Sequence, residues 1–303
     1  MRIYHLNCAS LFPLGGSLIG RNLGPKIKPH LVCHCLLIES PHGLILVNTG
    51  LGLGDVLNPQ NRLGPLFLAL LRPSLHIHET AVNQVIKLGF NPSDVKHIIF
   101  THLDTDQVGG LEDFPKAQLH VMRAELKAAM NPKNMLARLR YPTKELLGSR
   151  SWSTYYAEGE KWFGMDAVRH LENLPEGILL IPLSGYTEGH AGVAIKTNQG
   201  WLLHAGNSYF FQGELNQDYN CPAGLRAYQR LMQVNRKMRI LNQIRLRDLS
   251  HEHHSDLRIF CSHDPTEFRD LSRSAPRLLL CDNETLSNIL WMKPNNLNQS
   301  IST

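Results

Sequence analysis

We predict an α/β fold for this chain of 303 residues, because short apolar strands alternate with helical segments along it. Two further observations support the prediction: strands end in polar loops, and the second half repeats the pattern of the first. Hydrophobic residues make up 43% of the chain and charged residues 19%, which favours a large core over disorder. Because no linker composition divides the sequence, we expect one domain over residues 1–303, with a flexible polar tail from about 294.

The first half of the sequence predicts strands and helices in succession. The predicted strands are residues 1–8, Leu31 to Glu39, Gly43 to Val47, Val95 to Thr101 and Gln118 to Met122. A Ser-Pro-His-Gly turn joins the second and third of these strands into a hairpin. The predicted helices are Glu79 to Leu88, which precedes Gly89, and Arg123 to Met130, which Asn131-Pro132 ends.

The second half predicts four strands and one long basic helix. The strands are Ile178 to Leu183, Ala191 to Thr197, Trp201 to Ala205 and Leu257 to Cys261. The helix, Ala223 to about Leu249, carries seven Lys and Arg residues against one acid. It is either a face for an acidic partner or nucleic acid, or a solvated face opposite an apolar stripe, and we favour the second interpretation.

Composition excludes several classes of protein. The formal charge of +5 is too small for a nucleic-acid-binding arm, so we expect no nucleic-acid partner. No apolar run approaches the length of about 18 residues that a membrane helix needs, and the amino terminus does not resemble a signal peptide. Six cysteines without a C-x-x-C pair favour reduced thiols, and we expect a cytoplasmic protein.

The loop after the strand that ends at Thr101 is the first candidate site. His102, Asp104 and Asp106 stand two residues apart, so an extended backbone places their side chains on one face. Imidazole and carboxylate together suit zinc, manganese or iron(II). Taken alone, this loop also fits a solvated acidic segment that caps the next helix.

Five short motifs follow one another along the chain. They are Leu46-Val-Asn48-Thr-Gly50, His102-Leu-Asp104-Thr-Asp106-Gln107-Val-Gly109-Gly110, Thr187-Glu-Gly-His190, His204-Ala-Gly206-Asn207 and Ser262-His263-Asp264. In order and place they resemble the V-D-T-G, H-x-H-x-D-H, T-P-G-H, T-G-D and final His motifs of the metallo-β-lactamase superfamily. The resemblance spans nearly the whole chain and is closest to small hydrolases such as acyl-homoserine lactone lactonases and glyoxalase II.

The resemblance implies a four-layer αββα sandwich with metal ions held at the strand ends. A metal-bound hydroxide in such a site attacks an ester, thioester or lactone carbonyl. When the family's ligand positions are transferred to this sequence, the first metal has the ligands His102, Asp104 and His190. The second metal has Asp106, Gln107 and His263, and Asn207 lies at the bridge.

Four positions depart from the family pattern. Asp104 replaces a histidine and is itself a good ligand, whereas Gln107 and Asn207 replace a histidine and a bridging aspartate with neutral amides. Asn48 replaces the aspartate of V-D-T-G, where we expect a residue that orients a ligand. We therefore expect one divalent ion, most favourably zinc with manganese or iron as alternatives, and a weak or missing second ion.

The sequence thus predicts a metal-dependent hydrolase of a small ester, lactone or thioester. Asp106 is the candidate general base or water-orienting group, and Tyr209 is a candidate donor to the substrate carbonyl. The apolar segment Leu66 to Leu71 either lines the substrate entrance or forms a buried helix. The alternative function is a non-catalytic scaffold that has lost its metal and binds a ligand or partner. We expect a small-molecule substrate and no membrane, and the oligomeric state stays open, a homodimer included.

Overall fold

A computed structural model describes residues 1–15, 30–141, 144–167 and 171–274. These residues form a six-stranded sheet in the order β1-β2-β3-β4-β5-β6, a four-stranded sheet in the order β12-β11-β10-β9, and a small β7-β8 hairpin. The strands are β1 Arg2–Leu11, β2 Leu31–Ser40, β3 Gly43–Val47, β4 Val95–Ile99, β5 Gln118–Met122, β6 Trp152–Tyr155, β7 Lys161–Trp162, β8 Met165–Asp166, β9 Ile178–Pro182, β10 Ala191–Thr197, β11 Gly200–His204 and β12 Leu257–Phe260.

Eleven α-helices lie in the described ranges, and many are short. They are α1 Leu53–Leu57, α2 Pro59–Arg62, α3 Gly64–Leu71, α4 Ala81–Lys87, α5 Thr105–Val108, α6 Arg123–Met130, α7 Met135–Arg140, α8 Lys144–Gly148, α9 Ala223–Met232, α10 Arg236–Glu252 and α11 Pro265–Ser274. Within the described part of the chain, none of these helices has the length and apolar character that crossing a bilayer requires.

The two large sheets pack face to face and enclose one buried core. Ile45 and Val47 of the first sheet share this core with Val193 and Phe260 of the second. Helices cover the outer faces: Val85 of α4 packs on the first sheet, and Leu246 of α10 packs on the second. The layers therefore run helix, sheet, sheet, helix, which confirms the predicted αββα sandwich.

Loops from both sheets meet at one end of this sandwich. Strands β3 to β6 are parallel to one another, and so are β11 and β12. The carboxyl ends of the strands in each set therefore lie at one edge of their sheet. Backbone hydrogen bonds then join the loops: Ala191 N–H donates to Thr101 O (2.9 Å), and Ser262 N–H donates to Gly206 O (2.9 Å). The fold thereby fixes the positions of the loops that carry the candidate ligands.

Most predicted elements lie within one or two residues of the observed ones, but the long basic helix is interrupted. It is divided into α9 and α10, because Val234 and Asn235 leave helical conformation and donate their N–H groups to Gly185 O (3.0 Å each). The Asn235 side chain then accepts a hydrogen bond from Met238 N–H and caps α10. The expected tail from about 294 lies outside the described residues.

The segment Leu66 to Leu71 is helical but not buried. It lies within α3, where Leu66 and Leu70 are each about half exposed, at 49% and 48%. Phe67 packs against a core cluster that contains Leu51 and Tyr186. Of the two interpretations above, the buried helix is therefore wrong.

We predict that Gly109→Ala destabilises the fold by about 1–3 kcal/mol. The added methyl group would overlap the Asp55 carboxylate, which is held by the Gly52 N–H (3.0 Å) and by Arg62 Nε (3.0 Å). Urea unfolding measures the change in the free energy of unfolding. Gly148→Ala is the matched control, because among the described residues its methyl group would meet Met130 Cε alone, at 3.7 Å. Equal effects of the two substitutions would contradict the close approach at Gly109.

Candidate active site at the strand ends

The structure brings the seven predicted metal-site residues together in the loops at one end of the sandwich. All seven are buried: His102, Asp104, Asp106, Gln107, His190, Asn207 and His263. Burial lowers the pKa of His190 to about 3 and that of His263 to about 4, so both imidazoles are neutral at pH 7. Neutral imidazole is the form that binds a metal.

The first transferred ligand set has one free nitrogen. Thr101 Oγ1 lies 2.9 Å from His102 Nδ1. His102 Nε2 is buried with no hydrogen-bond partner among the residues described, and Asp104 Oδ2 lies 3.7 Å from it. His190 Nδ1 lies 3.2 Å from Leu183 O, and its Nε2 accepts a hydrogen bond from the Asn207 N–H (2.8 Å). The lone pair that His190 would give to a metal is therefore already used.

The third member of this set, Asp104, is paired with an arginine from α7. Arg140 Nε lies 3.0 Å from Asp104 Oδ1, and both side chains are buried. Burial raises the pKa of Asp104 to about 7, and the guanidinium opposes that rise. Arg140 also donates from Nη1 to Tyr186 O (3.2 Å) and lies 4.7 Å from the centre of the Tyr186 ring. A fixed cation therefore already neutralises this carboxylate, so the set fits a metal poorly.

Two residues of the second transferred set, Asp106 and His263, lie beside a possible ligand that sequence reasoning missed, Cys33. Asp106 Oδ2 lies 3.6 Å from His263 Nε2 and 3.8 Å from Cys33 Sγ. Ligand atoms of these three buried residues all lie within 4.8 Å of one another. His263 Nδ1 lies 2.8 Å from Val32 O, which leaves Nε2 directed toward Asp106. In the sequence, Cys33 lies in a predicted strand among apolar residues, and no motif surrounds it.

Gln107 and Asn48 form an amide pair. Asn48 Nδ2 donates to Gln107 Oε1 (2.9 Å), and Gln107 Nε2 donates to Asp106 Oδ2 (3.2 Å). Asn48 Oδ1 also accepts from the Thr101 N–H (3.0 Å), so this residue orients the loop as well. Gln107 thus accepts from Asn48 and donates to Asp106, so its amide positions the Asp106 carboxylate.

The structure places Tyr209 apart from the site carboxylates. Its hydroxyl donates to Glu267 Oε1 (2.8 Å), and its ring packs in the core between the second sheet and α10. Tyr186 instead lies beside the site, with its ring centre 5.5 Å from that of His102. The Tyr186 hydroxyl is buried, with no hydrogen-bond partner of normal geometry among the described residues. Tyr186, and not Tyr209, is therefore the tyrosine that lies beside His102 in the candidate site.

Glu125 of α6 supports two of the site loops and was also missed from sequence. Its carboxylate accepts from the Leu103 N–H (3.0 Å) and from the Gly189 N–H (3.0 Å). Burial raises its pKa to about 6, while these hydrogen bonds act against the rise. The only signal in the sequence was a carboxylate in a helix that follows a buried strand, which is too common to be informative.

We predict that Arg140→Met destabilises the protein by about 3–5 kcal/mol at pH 8, because it leaves the Asp104 carboxylate buried without a cation. Adding Asp104→Asn should recover most of this loss, since the neutral amide needs no counterion. Urea unfolding of the single and double variants measures the coupling. The exposed Arg138 on the same helix gives the control, Arg138→Met, with an expected change below about 0.5 kcal/mol. Additive effects in the double variant would refute the ion pair.

Comparison with known proteins identifies relatives of this chain. The family model of the metallo-beta-lactamase superfamily matches residues 29–208. A probable metallo-hydrolase of Mycobacterium tuberculosis is 37% identical over 265 residues, which cover 88% of this chain and 81% of the relative. An N-acyl homoserine lactonase of Bacillus thuringiensis is 27% identical over 186 residues, covering 61% of this chain and 67% of the relative.

Solved structures share the fold. An N-acyl homoserine lactone hydrolase with N-hexanoyl-L-homoserine bound at its catalytic metal centre superposes with a TM-score of 0.65 at 20% identity, covering 89% of this chain and 95% of the other. AidC, a dizinc quorum-quenching lactonase, gives 0.52 at 15% identity, covering 87% and 85%. These matches confirm the predicted fold, and the metallo-hydrolase relatives confirm the predicted enzyme class. The family model and the mycobacterial relative together show that this chain belongs to the metallo-β-lactamase superfamily.

Proposed function

We propose that this protein hydrolyses a small ester, lactone or thioester with the help of one bound divalent metal ion. The observation that carries the proposal is a group of buried polar atoms at the strand ends that have no hydrogen-bond partner in the part of the chain that the structure describes: His102 Nε2, Asn207 Oδ1 and the Tyr186 hydroxyl. A buried polar group left unpaired costs about 1–3 kcal/mol. Three such atoms in one site indicate that the site binds a polar ligand, which would form hydrogen bonds or metal bonds with them.

The chain's own residues supply binding, orientation and charge. A divalent metal, when bound, would act as a Lewis acid and make water available as a nucleophile near neutral pH. The hydroxyl of Tyr186 would donate a hydrogen bond to the substrate carbonyl oxygen as negative charge develops there. Asp106, oriented by the Gln107 amide at Oδ2, would accept the proton of the attacking water at its other carboxylate oxygen, Oδ1. Arg140 would keep Asp104 from repelling the developing charge.

Exposed apolar side chains near the site support a substrate with an acyl or other apolar group. Leu66 and Leu70 of α3 are half exposed, and Met135 and Leu139 of α7 are exposed at 67% and 51%. Helix α7 ends at Arg140, inside the site, and α3 packs through Phe67 on the cluster that contains Tyr186. An apolar group bound along these helices would leave its carbonyl at the polar atoms.

A binding protein without turnover is the second candidate function. Two residues of the first ligand set already have protein partners, which favours this function. Arg140 pairs with Asp104, and the Asn207 N–H donates to His190 Nε2. Such a protein would bind its ligand in the presence of a chelator. Its thermal stability would not change when metal is added.

We expect about one metal ion per chain after separate exposure to zinc, manganese and iron(II), followed by removal of loosely bound ions. Elemental mass spectrometry gives the stoichiometry, and a panel of short esters, thioesters and lactones gives the activity. Chelation should abolish hydrolysis and lower the melting temperature, because a metal that binds only the folded state stabilises it. Near-zero content for all three metals would reject the enzyme and leave the binding protein.

Tyr186→Phe should lower kcat by about 10²-fold with little change in KM, because a donor that acts on the developing oxyanion is lost. Tyr209→Phe is the matched control, since its hydroxyl is bound to Glu267. It should keep kcat and lower the free energy of unfolding by about 1 kcal/mol. Steady-state kinetics and urea unfolding separate the two. A kcat loss confined to Tyr209→Phe would instead support the residue chosen from sequence.

A further inference from the structure

Resting on the proposed function, we propose that the metal ion is held by Cys33, Asp106 and His263, with the Cys33 thiolate as a ligand. The position formed by His102, Asp104 and His190 then carries no metal and faces the substrate. This assignment differs from the ligand set transferred by motif position, in which Cys33 has no role. It also moves the single ion from the first transferred position to the second.

The spacing of the three ligand atoms supports this assignment. In a tetrahedral zinc site, ligand atoms at the usual bond lengths lie about 3.3–3.5 Å from one another. Here Asp106 Oδ2 is 3.6 Å from His263 Nε2 and 3.8 Å from Cys33 Sγ. These two distances exceed the usual ones by at most a few tenths of an ångström, and Cys33 Sγ and the His263 ring nitrogen lie within 4.8 Å of each other.

Backbone contacts hold Cys33 opposite His263. The residues on either side of Cys33 both bind the loop that carries the histidine: Val32 N–H donates to His263 O (3.3 Å), and His34 N–H donates to Ser262 O (2.9 Å). Val32 O also lies 2.8 Å from His263 Nδ1. A metal-bound histidine commonly donates its other ring N–H in this way, which orients the ring.

Charge balance favours a metal ion at Cys33, Asp106 and His263 over one at the first transferred ligand set. A thiolate and a carboxylate together neutralise one divalent cation, whereas Asp104 is already neutralised by Arg140. His263 keeps its Nε2 for a metal, whereas His190 Nε2 accepts the Asn207 N–H. Three protein ligands leave a fourth tetrahedral position open for water or substrate. A soft thiolate ligand selects zinc over the harder manganese ion.

Cobalt(II) substitution tests the assignment without relying on turnover. The metal-free protein should bind one cobalt(II) per chain and develop the near-ultraviolet thiolate-to-cobalt charge-transfer absorption. Cys33→Ser should abolish this absorption and weaken cobalt binding by more than about 100-fold, beyond the usual cost of losing an orienting partner. Cys35→Ser is the control, because Cys35 is equally buried on the same strand and should leave the spectrum unchanged.

Histidine variants and the wild-type spectrum complete the test. His263→Ala should abolish the absorption, and His102→Ala should keep it. In the wild-type protein, added zinc should displace cobalt and remove the absorption, a measurement that needs no variant to fold. One bound cobalt without the thiolate absorption, lost in His102→Ala, would overturn this ligand set while leaving the proposed hydrolase intact. Absence of any bound metal would overturn both.

Discussion

Two aspartates buried close together at one edge of the sandwich set the main constraint on this site. Asp104 and Asp106 stand two residues apart in one loop, and burial raises the pKa of each. Each carboxylate therefore needs a positive partner in order to remain ionised. Arg140 is that partner for Asp104. In our proposal a metal ion is the partner for Asp106. Arg140 and one metal ion would then neutralise the two carboxylates, where two metal ions would otherwise be needed.

The departures from the family motifs are mutually compatible when seen in three dimensions. Asn48 and Gln107 stand where the family has an aspartate and a histidine, and the two amides are hydrogen-bonded to each other. An amide pair can replace an aspartate–histidine pair because both supply one donor and one acceptor in a buried place. The Gln107 amide also donates to Asp106 Oδ2, so the pair keeps Asp106 in a fixed orientation.

The scaffold holds the site through hydrogen bonds between loops that are distant in sequence. Glu125 joins the 101–110 loop to the 184–190 loop through two backbone N–H groups. Strand β2 binds the loop of His263 on both sides of Cys33. These bonds cross between the two sheets, so the geometry of the site depends on the packing of the whole sandwich. This explains why short sequence motifs indicate the candidate ligands but not the residues that hydrogen-bond to them.

The sequence by itself determined the fold and indicated the loops that carry the candidate site. Apolar periodicity and turn residues predicted the strands, and the five motifs carried the resemblance that implied the sandwich, because both signals are local in the chain. The tertiary structure alone decided that Arg140 pairs with Asp104, that Cys33 faces His263, and that Tyr186 rather than Tyr209 lies at the site. Those contacts join residues from 36 to 230 positions apart in the chain, and no pattern within a strand or helix encodes such pairings.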